Sequence, residues 1–544
     1  MSMAAHALTS RRDGSALLCG ALAGVAALVA VGALLFEMRW ESNDDIAMAM
    51  VVHGYGIAAA PSPHLFFSNM LWGHLAQLLD MPSMIPGYSL ASLATLILAG
   101  AGLFVGLAHS GVQRGVCAAA VVLILARPLL FQQFTVNAGL VTIAALLCWQ
   151  HGARCGRRAA LYGGCGLLFI AFLIRAPEAC LVLMVALPLL PWSWLARDRH
   201  AQIAIAMLVL ALLAAQVIDH RAYQAPAWQA FTTLNPLRAI FTDFGAREAA
   251  RTHPQVVREH GYSANDMELI GSWFFVDPDV ADPKRLRALL ASLGSAPLAL
   301  HSLSLATRGM RNLWHPDLVA LFAAAVLLGL RQGGWRVAAS WALLLGAILV
   351  LGIAGRSGPL LRVYVPLLSL LVIAPLVWSR LSQRRTAVAL TILIAAAALN
   401  GYRVIKQSLG KQQQAASLRR DLAGFPTQPV VIWGATFPFE LVYPVLGPTP
   451  TTQSYQLHGL GVFTLAPFSV AYAQELAGKG FITRLRSAEG LHLIATQRQV
   501  SLLATYCKEH LAGELESLPT PPLGALPVSR QRCLGADSLS AAPR

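Results

Sequence analysis

Residues Ala16–Gly54 read ALLCGALAGVAALVAVGALLFEMRWESNDDIAMAMVVHG, and the changes of pattern within this stretch decide the fold. Ala16–Phe36 carries no charge and is long enough to cross a bilayer, which takes ~17–25 residues. The chain then turns polar at once. Glu41, Asp44 and Asp45 fall within Trp40–Asp45, and Ile46–Gly54 resumes as an apolar helical pattern. A span, an acidic turn and a short apolar helix describe a chain that leaves a membrane and then lies along its surface. Arg11 and Arg12 precede the run as they would in a secretory signal, but a signal's apolar core has roughly 7–15 residues. No small-residue cleavage site precedes Glu37, Arg39 and Glu41, so the run reads as a retained first transmembrane helix.

The rest of the chain repeats that opening. Of 544 residues 56% are hydrophobic and 12% charged, with a mean hydropathy of +0.58, outside the range of a soluble domain of this size. After Ala16–Phe36, runs able to span are Gly87–Ala108, Val116–Phe131, Val136–Trp149, Ala159–Ile174 and Ala179–Leu195. Ala201–Val217, Asp317–Leu330, Val337–Ile353, Leu361–Trp378 and Thr386–Leu399 follow, about eleven in all. The segment His64–Asp80, HLFFSNMLWGHLAQLLD, is helical in pattern but carries two histidines, Asn69 and Gln77, and is expected to lie in the interface.

The net charge of +15 follows topology. Arg114; Arg154, Arg157 and Arg158; Arg197 and Arg199; Arg331 and Arg336; and Arg380, Arg384 and Arg385 occupy alternate short loops. The intervening segments, 37–86, 218–312 and everything after 400, hold almost all the Asp and Glu. By the positive-inside rule this predicts a bacterial inner-membrane protein with a cytoplasmic N-terminus and a periplasmic C-terminus. Scattered arginines without aromatic platforms exclude a nucleic-acid partner.

The expected architecture is a polytopic α-helical membrane protein with a small C-terminal α/β periplasmic domain. Residues 1–400 form the transmembrane part, with periplasmic loops at 37–86 and 218–312. The second loop reads as a folded lid, with a capping box expected from Asn265 to Glu268. Residues 401–530 carry candidate strands at Pro429–Gly434 and Leu491–Thr496 and a helix at Gln499–His510, and 531–544 read as a tail. Six of the eight cysteines lie in or beside spans; Cys507 and Cys533 lie in the exported domain without metal-type spacing, which predicts a disulfide between them.

No Walker loop, H-E-x-x-H or G-x-S-x-G occurs, and the basic loops are too short for a nucleotide-binding domain, so any enzymatic substrate must come from the outer leaflet. Ser42, Asn43 or Asp44 can cap the helix after the first span, with acidic groups favoured by its dipole, and capping by one residue leaves its neighbour available for chemistry. Arg356 and Arg362 stand in GRSGPLLRVYVPL (Gly355–Leu367) at the outer end of a span, where an arginine is costly unless it is paired or faces a polar cavity. Clamping a lipid phosphate and snorkelling to the interface both account for them. The same two readings apply to Arg127 and Arg175, and His53, His64 and His74 have spacing that fits no compact site.

A first span, an acidic pair, an interfacial helix ending near a glycine and a second interfacial helix resemble the GT-C superfamily of membrane glycosyltransferases. The aminoarabinose transferases of lipid A and the protein O-mannosyltransferases are of this type. The resemblance covers roughly residues 16–110 by motif and the remainder by architecture. It implies a polyprenyl-phosphate-linked sugar donor, a lipid, glycan or protein acceptor, and catalysis by the first acidic residue, here Asp44, with Asp45 in place of the usual Glu. The Arg-Val-Tyr-x-Pro run resembles the Arg-Tyr-x-x-Pro element of the class, which implies that Arg362, with Arg356, binds the lipid phosphate. Many members carry another acidic residue in the second outer loop, but Arg127–Phe134 is RPLLFQQF. That departure argues against a metal site shared between the loops, so no cofactor is assigned and a divalent metal requirement stays open. Two other functions fit the architecture. An O-antigen polymerase or ligase would use His220, Arg221 and His253 of the 218–312 loop, and a lipid-linked glycan flippase would place polar residues mid-membrane.

Overall fold

The computed structural model describes residues 2–80, 85–243, 245–294, 301–353, 361–378, 382–447 and 455–535. Arg356 and Arg380 lie outside them. The first part contains helices α1 (Ser2–Leu35), α2 (Asn43–His53), α3 (Met70–Leu78), α4 (Gly87–His109), α5 (Arg114–Leu130) and α6 (Phe134–Cys155). Two short strands, β1 (Arg39–Trp40) and β2 (Phe131–Gln132), pair in parallel between them. Next come α7 (Arg158–Val185), α8 (Trp192–Arg197) and α9 (Arg199–Ala222). The long loop folds as α10 (Gln229–Asp243), α11 (Ala246–Thr252), α12 (Pro254–Glu259), α13 (Ala264–Gly271) and α14 (Pro283–Leu293). Then α15 (His301–Arg311), α16 (Val319–Gln332), α17 (Trp335–Ile353), α18 (Leu361–Trp378) and α19 (Gln383–Asp421) complete the helical part.

The protein is a multi-pass membrane protein. Among the described residues, eight helices are long and apolar enough to cross, or nine if α15 and α16, which meet at a 92° bend, make one span. Ten of the eleven apolar runs fall mainly within helices, and Ala179–Leu195 is helical to Val185 and again from Trp192, with a 3-10 turn at Leu187–Leu189 between. Ala159–Ile174 and Ala179–Leu195 merge within and beyond α7, but Arg175 (φ −158°, ψ 89°) breaks the helix between them. Past the break the chain doubles back: Glu178 lies beside Gly139 of α6, and Trp194 lies beside Gly152, where Arg157 and Leu161 also sit. Residue 194 has therefore returned to the level at which α7 began.

Three local expectations shift. Helix α2 starts at Asn43 rather than near Ile46, which places both aspartates in its first turn. Helix α3 is shorter than His64–Asp80, because Asn69 caps it by accepting from Leu71 N–H (3.0 Å) and Phe66 takes a left-handed φ of 59°. At ~1.5 Å per residue it cannot cross a ~30 Å core. The capping box of α13 is Ser263 with Asp266, two residues before the expected pair, and Glu268 instead binds Arg251 and Arg498.

The C-terminal sheet contains β3 (Val430–Trp433), β4 (Leu457–Leu460), β5 (Leu491–Ile494), β6 (Gly513–Leu518) and β7 (Val528–Gly535) in the order β4-β3-β5-β7-β6. The first three are parallel, and β7 runs antiparallel to its neighbours. Helices α20 (Phe439–Val442), α21 (Val470–Leu476), α22 (Phe481–Arg486) and α23 (Gln497–Leu511) connect them. Strand β7 runs across residue 531, where a tail was expected to begin, because alternate residues such as Gln531 and Cys533 are buried against the sheet. Cys507 of α23 and Cys533 of β7 are joined by a disulfide. Helices α10–α14 share one buried cluster with the sheet, in which Phe274 and Leu289 meet Trp433 and Tyr506. The long loop thus packs as part of the C-terminal unit.

That unit is docked directly on the first loop. Leu457 N–H donates to Gly56 O (3.0 Å), Val470 N–H to Ile57 O (2.9 Å), Ala59 N–H to Phe468 O (2.8 Å) and Val445 N–H to Met38 O (3.0 Å). Arg39, 1% exposed, adds bonds to the carbonyls of Glu440 (3.0 Å) and Leu441 (3.1 Å).

Candidate active site

Helix α2 sets the two aspartates apart because successive side chains on a helix point about 100° from one another. Asp45 is fully buried, accepting from Ser42 Oγ (2.8 Å) and from Phe134 N–H at the start of α6 (2.8 Å). Burial pushes its carboxyl up to about 8, with the neighbouring Asp44 charge adding to the effect, while the bonds from Ser42 and Phe134 and the Arg362 charge oppose it. Asp44 is half-buried and forms an ion pair with Arg362 of α18. The chain brings together two residues 318 positions apart.

Asp44 also lines a cavity of about 240 Å³. Its floor is Asn43, Asp44 and Ala47 of α2. Its roof comes from the carboxyl ends of β3 and β4 and the loops after them, including Gly434, Ala435, Gly461 and Phe463, with Trp273 of the long loop at one side. The strand order reverses between β3 and β5, and the cavity lies beside that switch point, at the carboxyl ends of β3 and β4.

Two other candidate arginines, Arg127 and Arg175, are tied to neighbouring elements. Arg127, 6% exposed, pairs with Glu41 (2.7 Å) and Asp317 (3.2 Å) and donates to Gln407 (3.1 Å), so it neither snorkels nor stands free for a phosphate. The segment Arg127–Phe134, which contains no carboxylate, is thus tied to Glu41 of the first loop. Burial raises the Glu41 carboxyl, and the Arg127 charge opposes this. Arg175 donates to Phe67 O (2.8 Å) and lies over the rings of Phe67 and Phe134, clamping the α7 reversal. The histidines are separate. His53 binds Asp80 (3.1 Å), His64 binds Ser62 (3.0 Å) and packs on Trp228, and His74 is exposed. Among the residues expected of a ligase, His220 lines a larger groove near Arg175, whereas His253 is exposed and bonds within its own helix turn.

Sequence reading missed Trp273, Gly434 and Gly461, which reach the cavity only through the packing of the C-terminal unit. It also missed Glu178, 3% exposed and within electrostatic reach of Arg175 and Arg362; a carboxylate beside an apolar run was the available signal. Among the described residues one group of three ligand-type side chains lies close together, Asp266, Glu509 and His510. Helix capping by Asp266 and its bond from His510 Nε2 (2.8 Å) account for that cluster.

No family model matches the chain, and no curated protein matches it. Among solved structures, the crystal structure of ArnT from Cupriavidus metallidurans bound to undecaprenyl phosphate is similar over 94% of this chain and 98% of that one, at 13% identity and a TM-score of 0.37.

Proposed function

We propose that the protein is a GT-C-type glycosyltransferase of a bacterial inner membrane, moving a sugar from a polyprenyl-phosphate carrier to a hydroxyl acceptor on the periplasmic face. The observation that carries this reading is the ion pair between Asp44, which lines the cavity, and Arg362, because the reaction needs one group of each sign at neighbouring points. Asp44 accepts the proton of the acceptor hydroxyl as its oxygen bonds to the anomeric carbon. The bond from that carbon to the phosphate oxygen breaks, and the negative charge gathering on the departing phosphate is stabilised by Arg362. In the resting state the two residues pair with each other, and the guanidinium is held in place. An incoming phosphate replaces Asp44 as the partner of Arg362 and frees the base.

Asp44→Asn retains the shape of the side chain but cannot take up a proton, so it is expected to insert, bind donor and lose 10²–10⁴-fold in transfer. Arg362→Lys keeps the charge without the planar fork and is expected to weaken donor binding. Transfer of radiolabelled sugar from polyprenyl-phosphate donor by purified variants at matched levels measures both. Near-normal transfer by Asp44→Asn removes the base assignment, and unchanged donor affinity in Arg362→Lys removes the clamp.

A further inference from the structure

Helix α13 ends in a Schellman turn, with Trp273 N–H donating to Ile270 O (3.2 Å) and Phe274 N–H to Leu269 O (3.0 Å). Such a turn puts the residue after the cap in the left-handed region, and Trp273 has φ 74°. Glycine is the usual occupant because it has no Cβ to crowd the following carbonyl, and a bulky residue there is an outlier that persists only when its surroundings over-determine it.

Those surroundings are specific. Trp433 Nε1 donates to Ser272 O (2.5 Å) and Arg247 Nη1 to Gly271 O (3.4 Å), pinning the turn on both sides. The Arg238 guanidinium sits over the Trp273 ring, 4.3 Å from its centroid, and is itself held by Nε donating to Asn235 Oδ1 (2.7 Å). Arg238 is only 5% exposed, and its Nη1 has no hydrogen-bond partner among the described residues. A left-handed tryptophan and a buried cation with an unmet donor are each unfavourable locally. Both choices fix the orientation of one indole ring. Arg238 covers one face, and Trp273 also lines the Asp44 cavity, where a Cβ added at Gly434 would lie 4.0 Å from its Cδ1.

The cavity suits a single ring. At about 240 Å³ it falls below the ~300–1,000 Å³ of pockets for drug-sized ligands. Gly461 opens onto free space, where even a Cβ would meet nothing. Polar groups of the lining come from Asn43 and Asp44 on α2, whereas the Ser469 hydroxyl is spent on Thr464 O (3.1 Å) and Tyr472 N–H (3.0 Å). A sugar ring has matching sides: a face of C–H bonds carrying partial positive charge, which is attracted to the negative π face of an aromatic, and an edge of hydroxyls that need hydrogen bonds.

We propose that Trp273 is a carbohydrate-stacking platform, taking the C–H face of one sugar residue inside the cavity while Asn43 and Asp44 meet its hydroxyls. The choice of a sugar as ligand rests on the transferase reading above. The geometry of the indole does not.

Two variants separate platform from scaffold. Trp273→Gly deletes the ring and relieves the left-handed backbone, and Trp273→Phe keeps a smaller aromatic face on the same turn. The probe is a panel of methyl glycosides of common hexoses and hexosamines, observed by saturation-transfer NMR with the purified full chain, alongside thermal unfolding and sugar transfer from polyprenyl-phosphate donors. Wild-type protein is expected to saturate the C–H protons of one ring face. Trp273→Gly is expected to weaken binding roughly tenfold and Trp273→Phe by less. Absence of saturation from every glycoside with wild type, or wild-type binding by Trp273→Gly, overturns the platform. If wild type binds glycosides through Trp273 but transfers no sugar, the platform stands and the transferase reading fails. If Trp273→Gly transfers sugar at the wild-type rate, the platform fails and the transferase reading stands. A matching loss of binding in Trp273→Gly and Trp273→Phe, with unfolding temperatures lowered equally, assigns the ring to the scaffold and also overturns the proposal.

Discussion

At Asp45 the carboxyl accepts bonds from Ser42 and the Phe134 amide inside a fully buried site, and its titration sits at about 8 instead of 3.8. The folded chain therefore binds this proton more tightly than the unfolded chain does. Stability from the group is complete below about pH 4 and is lost as pH rises through about 8. Asn is a neutral isostere that still accepts from Phe134, so Asp45→Asn is expected to keep sugar transfer and to flatten the loss of thermal stability between pH 6 and 9. Asp45→Ala leaves the Phe134 amide buried without its acceptor, which costs ~1–3 kcal/mol. Unfolding temperatures across that pH range for the wild type and both variants measure this. A pH slope unchanged in Asp45→Asn means that the carboxyl is ionised in the folded protein. Loss of transfer in Asp45→Asn with Asp44→Asn active moves the base by one residue.

Among elements, the α23–β7 contact depends on the Cys507–Cys533 bridge, whose cysteines are 26 residues apart with Cα atoms 6.0 Å from each other. Closing a loop of that length restricts the unfolded chain and contributes ~3 kcal/mol. Replacing both cysteines by alanine is expected to lower the unfolding temperature of the C-terminal unit while the membrane helices still insert, because the disulfide touches no span. Non-reducing peptide mapping of membrane-expressed protein checks the pairing, and free thiols at both positions would show it wrong. The Arg127 cluster is held differently: Glu41, Asp317 and Gln407 come from three separate elements, and removing one member of such a buried network costs ~3–5 kcal/mol through the charge left behind.

For the whole molecule, the first loop, the long loop and the C-terminal sheet pack on one another, so all three must lie on one side of the membrane. Combined with the arginine-rich short loops, this predicts that reporter fusions after residues 60, 155, 260 and 420 read periplasmic, cytoplasmic, periplasmic and periplasmic. A cytoplasmic signal at 60 would remove the catalytic proposal, since Asp44 would then face the wrong compartment for a periplasmic acceptor. Helix α19 suits this arrangement. Its 39 residues extend ~58 Å, well beyond a ~30 Å core, and its far end reaches the first loop and α20 of the C-terminal unit through Arg419–Glu37 and Lys411–Glu440.

What the sequence determined by itself is what composition and period control. The apolar runs became helical because lipid leaves the backbone no other partner than itself. The acidic turn after Phe36 and the strands at Val430–Trp433 and Leu491–Ile494 were readable from local pattern, since hydropathy breaks and β-branched runs act over a few residues. Tertiary structure decided whatever depends on residues far apart in the chain. Only packing distinguishes Asp44 from Asp45, by placing Phe134 over one and Arg362 beside the other. Only packing turns Arg127 from an interfacial cation into the centre of an ion network, and only the docking of the sheet on the first loop carries Gly434 and Trp273 to the cavity. Local propensity reaches about one helical turn, whereas charge pairing and burial act between whatever surfaces the fold brings into contact.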